Sequence, residues 1–313
     1  MTRRTQTVYV DTEPFFSPRG KVLHGFGQFL DELSQAQMPC VWITGWTRAQ
    51  LDEPRRRLGQ SDPYIGENSC GVYLPEDYFH LKGSDTIRLG RYTCIPVAKP
   101  QPAAAEGLDE LSSDLGVSVV PLRSLSQREL NQNTGLPARE AELIRQRDFD
   151  ELFFFAGASE RDVERFRDEA KRRGMVMQTV GAFWSLSCGA NLAKCVRELG
   201  GLYDRALRAH AQRIGVRMLP ASRKEATIHG DWPAAAFDKT LTIVEYAEAE
   251  HVPVRKLNTD VDELASASVS ESEAETKPND RHDRSRFHLH APGVWRKLIG
   301  AIEGSTHASR AIQ

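Results

Sequence analysis

The chain has no apolar run that approaches the roughly 18 residues needed to cross a membrane. No membrane partner is therefore expected. Cysteine is scarce, with five in 313 residues. Cys40, Cys70, Cys94, Cys188 and Cys195 are odd in number and form no C-x-x-C pair. That excludes a disulfide framework and gives no zinc site, and it fits a reducing cytoplasm. Neither sign of charge dominates, with Lys+Arg 41 against Asp+Glu 43. A nucleic-acid partner is not expected from that balance. Arg3 and Arg4 are followed by no apolar signal-peptide region, so secretion is not expected. What the chain does have is 40% hydrophobic residues, enough for a core in one large domain or two modest ones.

The first half alternates strand and helix patterns. Residues 7–11 read as a strand ending in Asp11. Val22, Phe26, Phe29, Leu30 and Leu33 then recur at helical spacing. Pro39 breaks that pattern before a strand at 40–44. A charged helix over 48–58 contains Pro54, which predicts an end or bend there. Residues 64–73 read as strand, polar turn and strand. From about residue 83 the rhythm changes, with strands at 87–89 and 153–155. Helices near 104–115 and 159–174 flank a polar segment, 124–135. Later patterns predict a helix over 192–214, a strand at 226–229, a helix over 234–250 and a strand at 252–257.

The fold class expected is α/β: a doubly wound parallel-sheet core with an inserted α+β cap. The core takes residues 1–82 and 188–258, and the cap 83–187. The insertion reads as a lid or as a second packing domain. Residues 259–286 are rich in Ser, Glu, Asp and Arg and read as a disordered linker. In 287–313, Trp295, Leu298, Ile299 and Ile302 form an apolar stripe that predicts a helix docking on the core.

Open α/β sheets place their chemistry at the carboxyl ends of their strands. Asp11, Thr44 and Asp231 each end a strand pattern, and Lys194 opens a helix. Two carboxylates and a hydroxyl would suit a phosphate and a divalent cation. Each residue alone also reads as a helix cap, a turn residue or a solvated lysine.

Four strings resemble the mannosyl-3-phosphoglycerate phosphatase family of the haloacid-dehalogenase superfamily. Thr44-Gly45-Trp46-Thr47-Arg48 resembles Thr-Ser-Lys-Thr-Arg. Ile65-Gly66-Glu67-Asn68-Ser69, running on to Pro75, resembles Val/Ile-x-Glu-Asn-Gly followed by Ile-Tyr-x-Pro. Gln146-Arg147-Asp148-Phe149-Asp150-Glu151-Leu152-Phe153 resembles the cap string Gln-Arg-Glu-Phe-x-Glu-Pro-Phe. Ala291-Pro292-Gly293-Val294-Trp295 resembles Gly-Pro-x-x-Trp.

The resemblance implies a Mg²⁺-dependent phosphatase that hydrolyses a phosphorylated sugar acid through an aspartyl-phosphate. Asp11 would be the nucleophile and Glu13 the acid/base. Thr44 and Lys194 would hold phosphoryl oxygens. Asp11, Glu13 and Asp231 would hold Mg²⁺. Glu67, Asn68, Gln146, Arg147 and Glu151 would contact the small phosphosugar. The sequence does not set an oligomeric state.

Departures concentrate at the motifs. Asp-x-Asp-Gly-Thr is here Asp11-Thr12-Glu13-Pro14-Phe15. The lysine of Gly-Gly-Asp-Lys-Gly-Lys falls on Leu192, and the Asn-Asp pair of Gly-Asp-x-x-Asn-Asp falls on Ala234 and Ala235. A weak or inactive relative that binds a phosphosugar or a protein is the alternative these losses raise.

Overall fold

The computed structural model describes residues 6–16, 22–79, 85–219, 232–244, 286–291 and 293–308. In chain order the strands are β1 (Gln6–Asp11), β2 (Cys40–Ile43), β3 (Tyr64–Gly66), β4 (Gly71–Pro75), β5 (Ile87–Leu89), β6 (Tyr92–Pro96), β7 (Val119–Pro121), β8 (Glu151–Phe155), β9 (Val176–Val180), β10 (Phe183–Ser187), β11 (Gln212–Leu219), β12 (Lys239–Val244) and β13 (Arg286–His288). The helices are α1 (Phe26–Gln35), α2 (Arg48–Arg57), α3 (Gln101–Leu115), α4 (Gln127–Thr134), α5 (Ala138–Leu143), α6 (Glu160–Arg172), α7 (Leu192–Leu207) and α8 (Val294–Ala308).

Nine strands form one sheet in the order β13-β12-β11-β1-β2-β3-β4-β6-β5. The pairs from β13 to β3 are parallel, and β4, β6 and β5 add an antiparallel edge. The four-stranded sheet β7-β8-β10-β9 is separate and antiparallel. The α/β class with a doubly wound parallel core and a separate α+β unit is what the sequence predicts.

β1 is buried along its whole length, as a central parallel strand covered on both faces must be. Val8 and Val10 face α1 and α8 with Phe26, Phe29, Leu30, Leu298 and Ile302. Tyr9, on the alternate face, packs with Cys195, Val196, Leu199 and Tyr203 of α7. In the smaller sheet Phe153 and Leu186 pack on Leu108 and Leu111 of α3 and Phe166 of α6.

Several sequence expectations are corrected. The helix expected over 192–214 stops at Leu207, where Arg208 turns left-handed at φ 52°. Ile214, Val216 and Met218 then alternate as strand β11 between β1 and β12. The helix expected over 234–250 is a short 3₁₀ turn, Ala234–Ala236, followed by β12. Its Leu241 and Ile243 have the two-residue period of a strand. β5 and β6 continue the larger sheet beyond residue 83, because β6 pairs with β4. The polar segment 124–135 contains α4, started by a reciprocal Ser126–Glu129 cap. α2 passes through Pro54 and ends three residues later. The strands expected at 226–229 and 252–257, Asp231 and the linker up to residue 285 lie outside the described residues. Among the described residues no helix is long and apolar enough to cross a membrane.

α8 reaches the segment that follows β1. Trp295 sits 5.9 Å from the Phe15 ring and 5.5 Å from that of Phe29. Gly25, at φ 83°, leaves room for it, since an added Cβ would lie 2.2 Å from the indole nitrogen. Trp295→Ala should cost roughly 3 kcal/mol of stability by urea unfolding. A loss below about 1 kcal/mol would show that α8 is only loosely docked.

Candidate functional site at the ends of β1 and β2

Asp11 ends β1 in register with Ile43 at the end of β2. Thr12 ties the two ends together, its N–H and its hydroxyl both donating to the Ile43 carbonyl. Thr44 follows directly. Its N–H donates to the Ile65 carbonyl of β3, and its own carbonyl accepts from the Asn68 N–H. Asp11 and Thr44 are both buried, at 5% and 4% exposure. The structure therefore brings these two predicted residues to adjacent strand ends, where such sheets carry ligands.

Glu13 opens the 3₁₀ turn Glu13–Phe15, with Pro14 at its second position, where the N–H has no partner inside the turn. Phe15 turns into the core and stacks on Phe26 with centroids 4.4 Å apart. The Glu13 carboxylate reaches the other way. It accepts from the Thr44 hydroxyl at 3.2 Å and from the Gly45 N–H. The Thr44 oxygen also accepts from the Trp46 N–H at 3.0 Å, which leaves its proton for Glu13.

The loop between β3 and β4 holds three consecutive non-glycine residues left-handed: Glu67, Asn68 and Ser69 at φ 47°, 56° and 71°. Each costs of order 1 kcal/mol and persists only when its surroundings over-determine it. Those surroundings are visible. Asn68 Nδ2 donates to Asp150 at 2.9 Å, and the Asn68 carbonyl accepts from Gln178. The Ser69 carbonyl accepts from the Asn191 N–H that precedes α7.

The Glu67 carboxylate is fully buried and accepts from the N–H groups of Asp148 and Phe149 at 2.9 and 2.8 Å. Burial pushes its pKa up to about 8; Arg147 opposes this, while Asp150 and Asp148 add to it. Arg147 pairs with Asp150 and donates to the Gly45 carbonyl at 2.6 Å. Burial disfavours its charge, but Asp150 and Glu67 outweigh that and push its pKa up. Ser185 of β10 donates to Asp150 at 2.5 Å.

The expected substrate contacts are therefore mostly turned inward. The Arg147 side chain is 3% exposed and spent on Asp150 and Gly45. Glu67 and Asn68 hold the cap string. Glu151 is buried against Gln101 and Arg123, which belong to the cap region. Gln146 is exposed. Lys194 is exposed in the first turn of α7, its N–H capped by Asn191. Among the described residues no contact joins it to Thr44 or Glu13. Leu192 packs in an apolar cluster. Sequence reasoning missed the roles of Gly45, Asp148, Asp150 and Ser185. Asp148 and Asp150 lie inside the quoted cap string, which was the available signal.

Among the described residues no group of three or more His, Cys, Asp or Glu could hold a metal ion. The Glu13 carboxylate is engaged by Thr44 and Gly45, and its carbonyl accepts from the Phe16 N–H. Asp231 lies outside the described residues. The donors described do not by themselves fit the six oxygens of Mg²⁺.

No family model matches the chain. It is 25% identical over 174 residues to a glucosyl-3-phosphoglycerate/mannosyl-3-phosphoglycerate phosphatase of Methanococcoides burtonii, covering 56% of this chain and 64% of that protein. A protein of the same name from Persephonella marina is 23% identical over 159 residues, covering 50% and 56%. A mannosyl-3-phosphoglycerate phosphatase of Pyrococcus furiosus is 22% identical over 186 residues, covering 59% and 74%. The chain thus spans under two thirds of the length of the first two. Among solved structures it is similar to a haloacid dehalogenase-like hydrolase from Bacteroides thetaiotaomicron, with TM-score 0.47, 10% identity, and 76% and 94% coverage. A sugar phosphatase of haloacid-dehalogenase subclass IIB gives TM-score 0.47 at 12% identity and the same coverage.

The raised pKa of Glu67 carries a sign. Its ordinary value is 4.5 and its folded value about 8, so between them the folded chain binds the proton more tightly than the unfolded chain. Stability should fall as pH rises from about 4.5 to about 8 and level off above. Glu67→Gln removes that titration. Urea unfolding across this window should show the variant gaining on the wild type as pH rises. A difference that stays constant with pH would mean that Glu67 does not titrate there.

Proposed function

We propose that this chain is a phosphatase of the haloacid-dehalogenase type acting on a phosphorylated sugar acid, as the names of its curated relatives suggest. The observation that carries the reading is that Asp11 ends β1 in register with the end of β2, directly before the Thr44 hydroxyl and the Gly45 N–H, two donors aimed at a carboxylate. A carboxylate nucleophile beside two oxyanion donors is the equipment phosphoryl transfer asks of a protein.

In this reading the Asp11 carboxylate attacks phosphorus. The P–O bond to the sugar acid breaks as an aspartyl-phosphate forms. The leaving oxygen takes the proton of the Glu13 carboxyl group. Water then attacks the aspartyl-phosphate, gives its proton to Glu13, and frees inorganic phosphate and Asp11. Thr44 and Gly45 hold the phosphoryl oxygens. Arg147, through the Gly45 carbonyl, and Glu67, through the cap string, position the Thr44–Trp46 backbone. Gln146 is the exposed member of the cap string and is assigned the substrate contact. Five free cysteines accord with the cytoplasmic location proposed for the chain.

Phosphate release should be measured from mannosyl-3-phosphoglycerate and glucosyl-3-phosphoglycerate, beside other phosphosugars. Asp11→Asn should abolish release. Glu13→Gln should lower turnover by roughly 10²–10⁴-fold. An Asp11→Asn protein with wild-type turnover would overturn the reading. Magnesium enters this proposal through Asp231: excess chelator and Asp231→Ala should both remove activity. Full turnover in chelator would take magnesium out of it.

A further inference from the structure

The Thr44–Gly45 donors are not open to solvent in this structure. The Glu13 carboxylate occupies both. A carboxylate oxygen and a phosphoryl oxygen make the same demand on such donors, namely a hydroxyl and an amide aimed at negative charge. Building on the reading of Thr44 as a phosphoryl donor, we propose that the chain keeps this oxyanion seat filled with its own Glu13 side chain. A phosphate-bearing ligand then binds only by displacing it.

Three further observations support a built contact. First, the Thr44 hydroxyl is orientated: its oxygen accepts from Trp46, so its single proton is directed at Glu13. Second, position 45 has no side chain to spare. An added Cβ would lie 2.8 Å from Glu13 Oε1 and 2.5 Å from Asn68 Oδ1. The family pattern stated for these strings has aspartate where this chain has Glu13, and serine where it has Gly45. The longer arm and the missing Cβ are complementary changes. Third, the backbone that donates to Glu13 is held on both sides of the Gly45 Cα: the Thr44 carbonyl accepts from the Asn68 N–H, and the Gly45 carbonyl accepts from the buried Arg147.

The backbone under Glu13 is anchored, and its side chain is held in the seat by the Thr44 and Gly45 hydrogen bonds. Phe15 is fully buried against Phe26 and Trp295. Glu13 itself is half-buried. Opening the seat therefore asks for a rotation of one side chain, not a movement of β1 or of the 3₁₀ turn.

A seat filled by an internal anion lowers the apparent affinity for an external one in proportion to the fraction of time it stands open. The test is calorimetric titration of the full chain with inorganic phosphate in four forms: wild type, Glu13→Ala, Thr44→Val and the double variant. Each is checked for cooperative unfolding. Glu13→Ala should bind phosphate about 10-fold more tightly or better, equivalent to a seat open less than about a tenth of the time. The gain should shrink in the Thr44→Val background, because both residues act on the same seat. A gain of equal size with and without Thr44 would reveal plain charge repulsion by Glu13 and would overturn the proposal. No gain from Glu13→Ala, with weaker binding in Thr44→Val, would overturn it too while leaving Thr44 as a phosphate donor. If Thr44→Val changes nothing in either background, or no form binds phosphate, the reading of Thr44 falls along with the proposal.

Discussion

A fully buried carboxylate, Glu67, takes two backbone N–H groups from the turn that leads into β8. Much of the site's geometry depends on that contact. The same turn supplies Arg147, which holds the Gly45 carbonyl, and Asp150, which holds Asn68. The end of β2, the loop between β3 and β4, and the entry to the smaller sheet become one connected unit. Buried charges are expensive unless paired and hydrogen-bonded, and removing one partner commonly costs about 3–5 kcal/mol. Arg147 and Asp150 meet the condition: they pair with each other, Arg147 also donates to the Gly45 carbonyl, and Asp150 is served by Asn68 and Ser185. Three left-handed residues in a row are tolerable because Glu67 and Asn68 are held by this unit and the Ser69 carbonyl by Asn191 and Cys195 at the start of α7.

The segment after β1 follows from a second constraint, the need to bury Phe15. In the family pattern a glycine and a threonine stand where this chain has Pro14 and Phe15. The structure accounts for both. Pro14 is the second residue of the 3₁₀ turn Glu13–Phe15, where the N–H has no partner inside the turn and its loss costs little. Phe15 joins an aromatic cluster with Phe26 and Trp295, so its bulk fills core space away from the Thr44–Gly45 seat. The turn that buries Phe15 on one side directs Glu13 to the seat on the other. Core packing and site occupancy thus come from three adjacent residues.

The elements legible in the sequence were those with a clean period and a marked end. β1, α1 and β2 qualify, with Pro39 punctuating the passage from helix to strand. β11 did not. Its Ile214, Val216 and Met218 alternate, but α7 ends at Leu207 and is capped by Arg208, a left-handed residue with no glycine to mark the stop. The alanines of 234–236 favour helix locally, yet the following segment pairs with β11, and tertiary pairing prevailed. At the site, Asp11 and Thr44 were legible because strand ends carry function in such sheets. Arg147 was legible as an anion reader, which it is. The anion is its own Asp150, three residues along, and no local pattern distinguishes that partner from a ligand.

The charge balance at the seat sets what the rest of the chain must provide. Asp11 and Glu13 are both acidic. The seat's own donors are a hydroxyl and an amide, and Arg147 is engaged with the Gly45 carbonyl and Asp150. Leu192 occupies the position where the family resemblance would put a lysine, and it is packed among apolar side chains. Such a seat suits one internal carboxylate well. A phosphoryl dianion would bring more negative charge than these donors offset. Compensation must therefore arrive with the ligand, with a cation, or from chain that reaches the same edge of the sheet. β11 is the strand beside β1, and Val10 pairs with Val216, so its end at Leu219 comes level with the region just past Asp11. The sequence that continues from there is Pro220-Ala221-Ser222-Arg223-Lys224-Glu225, and Asp231 is the twelfth residue after Leu219. In sequence, two cations and one carboxylate thus come before the aspartate proposed for magnesium.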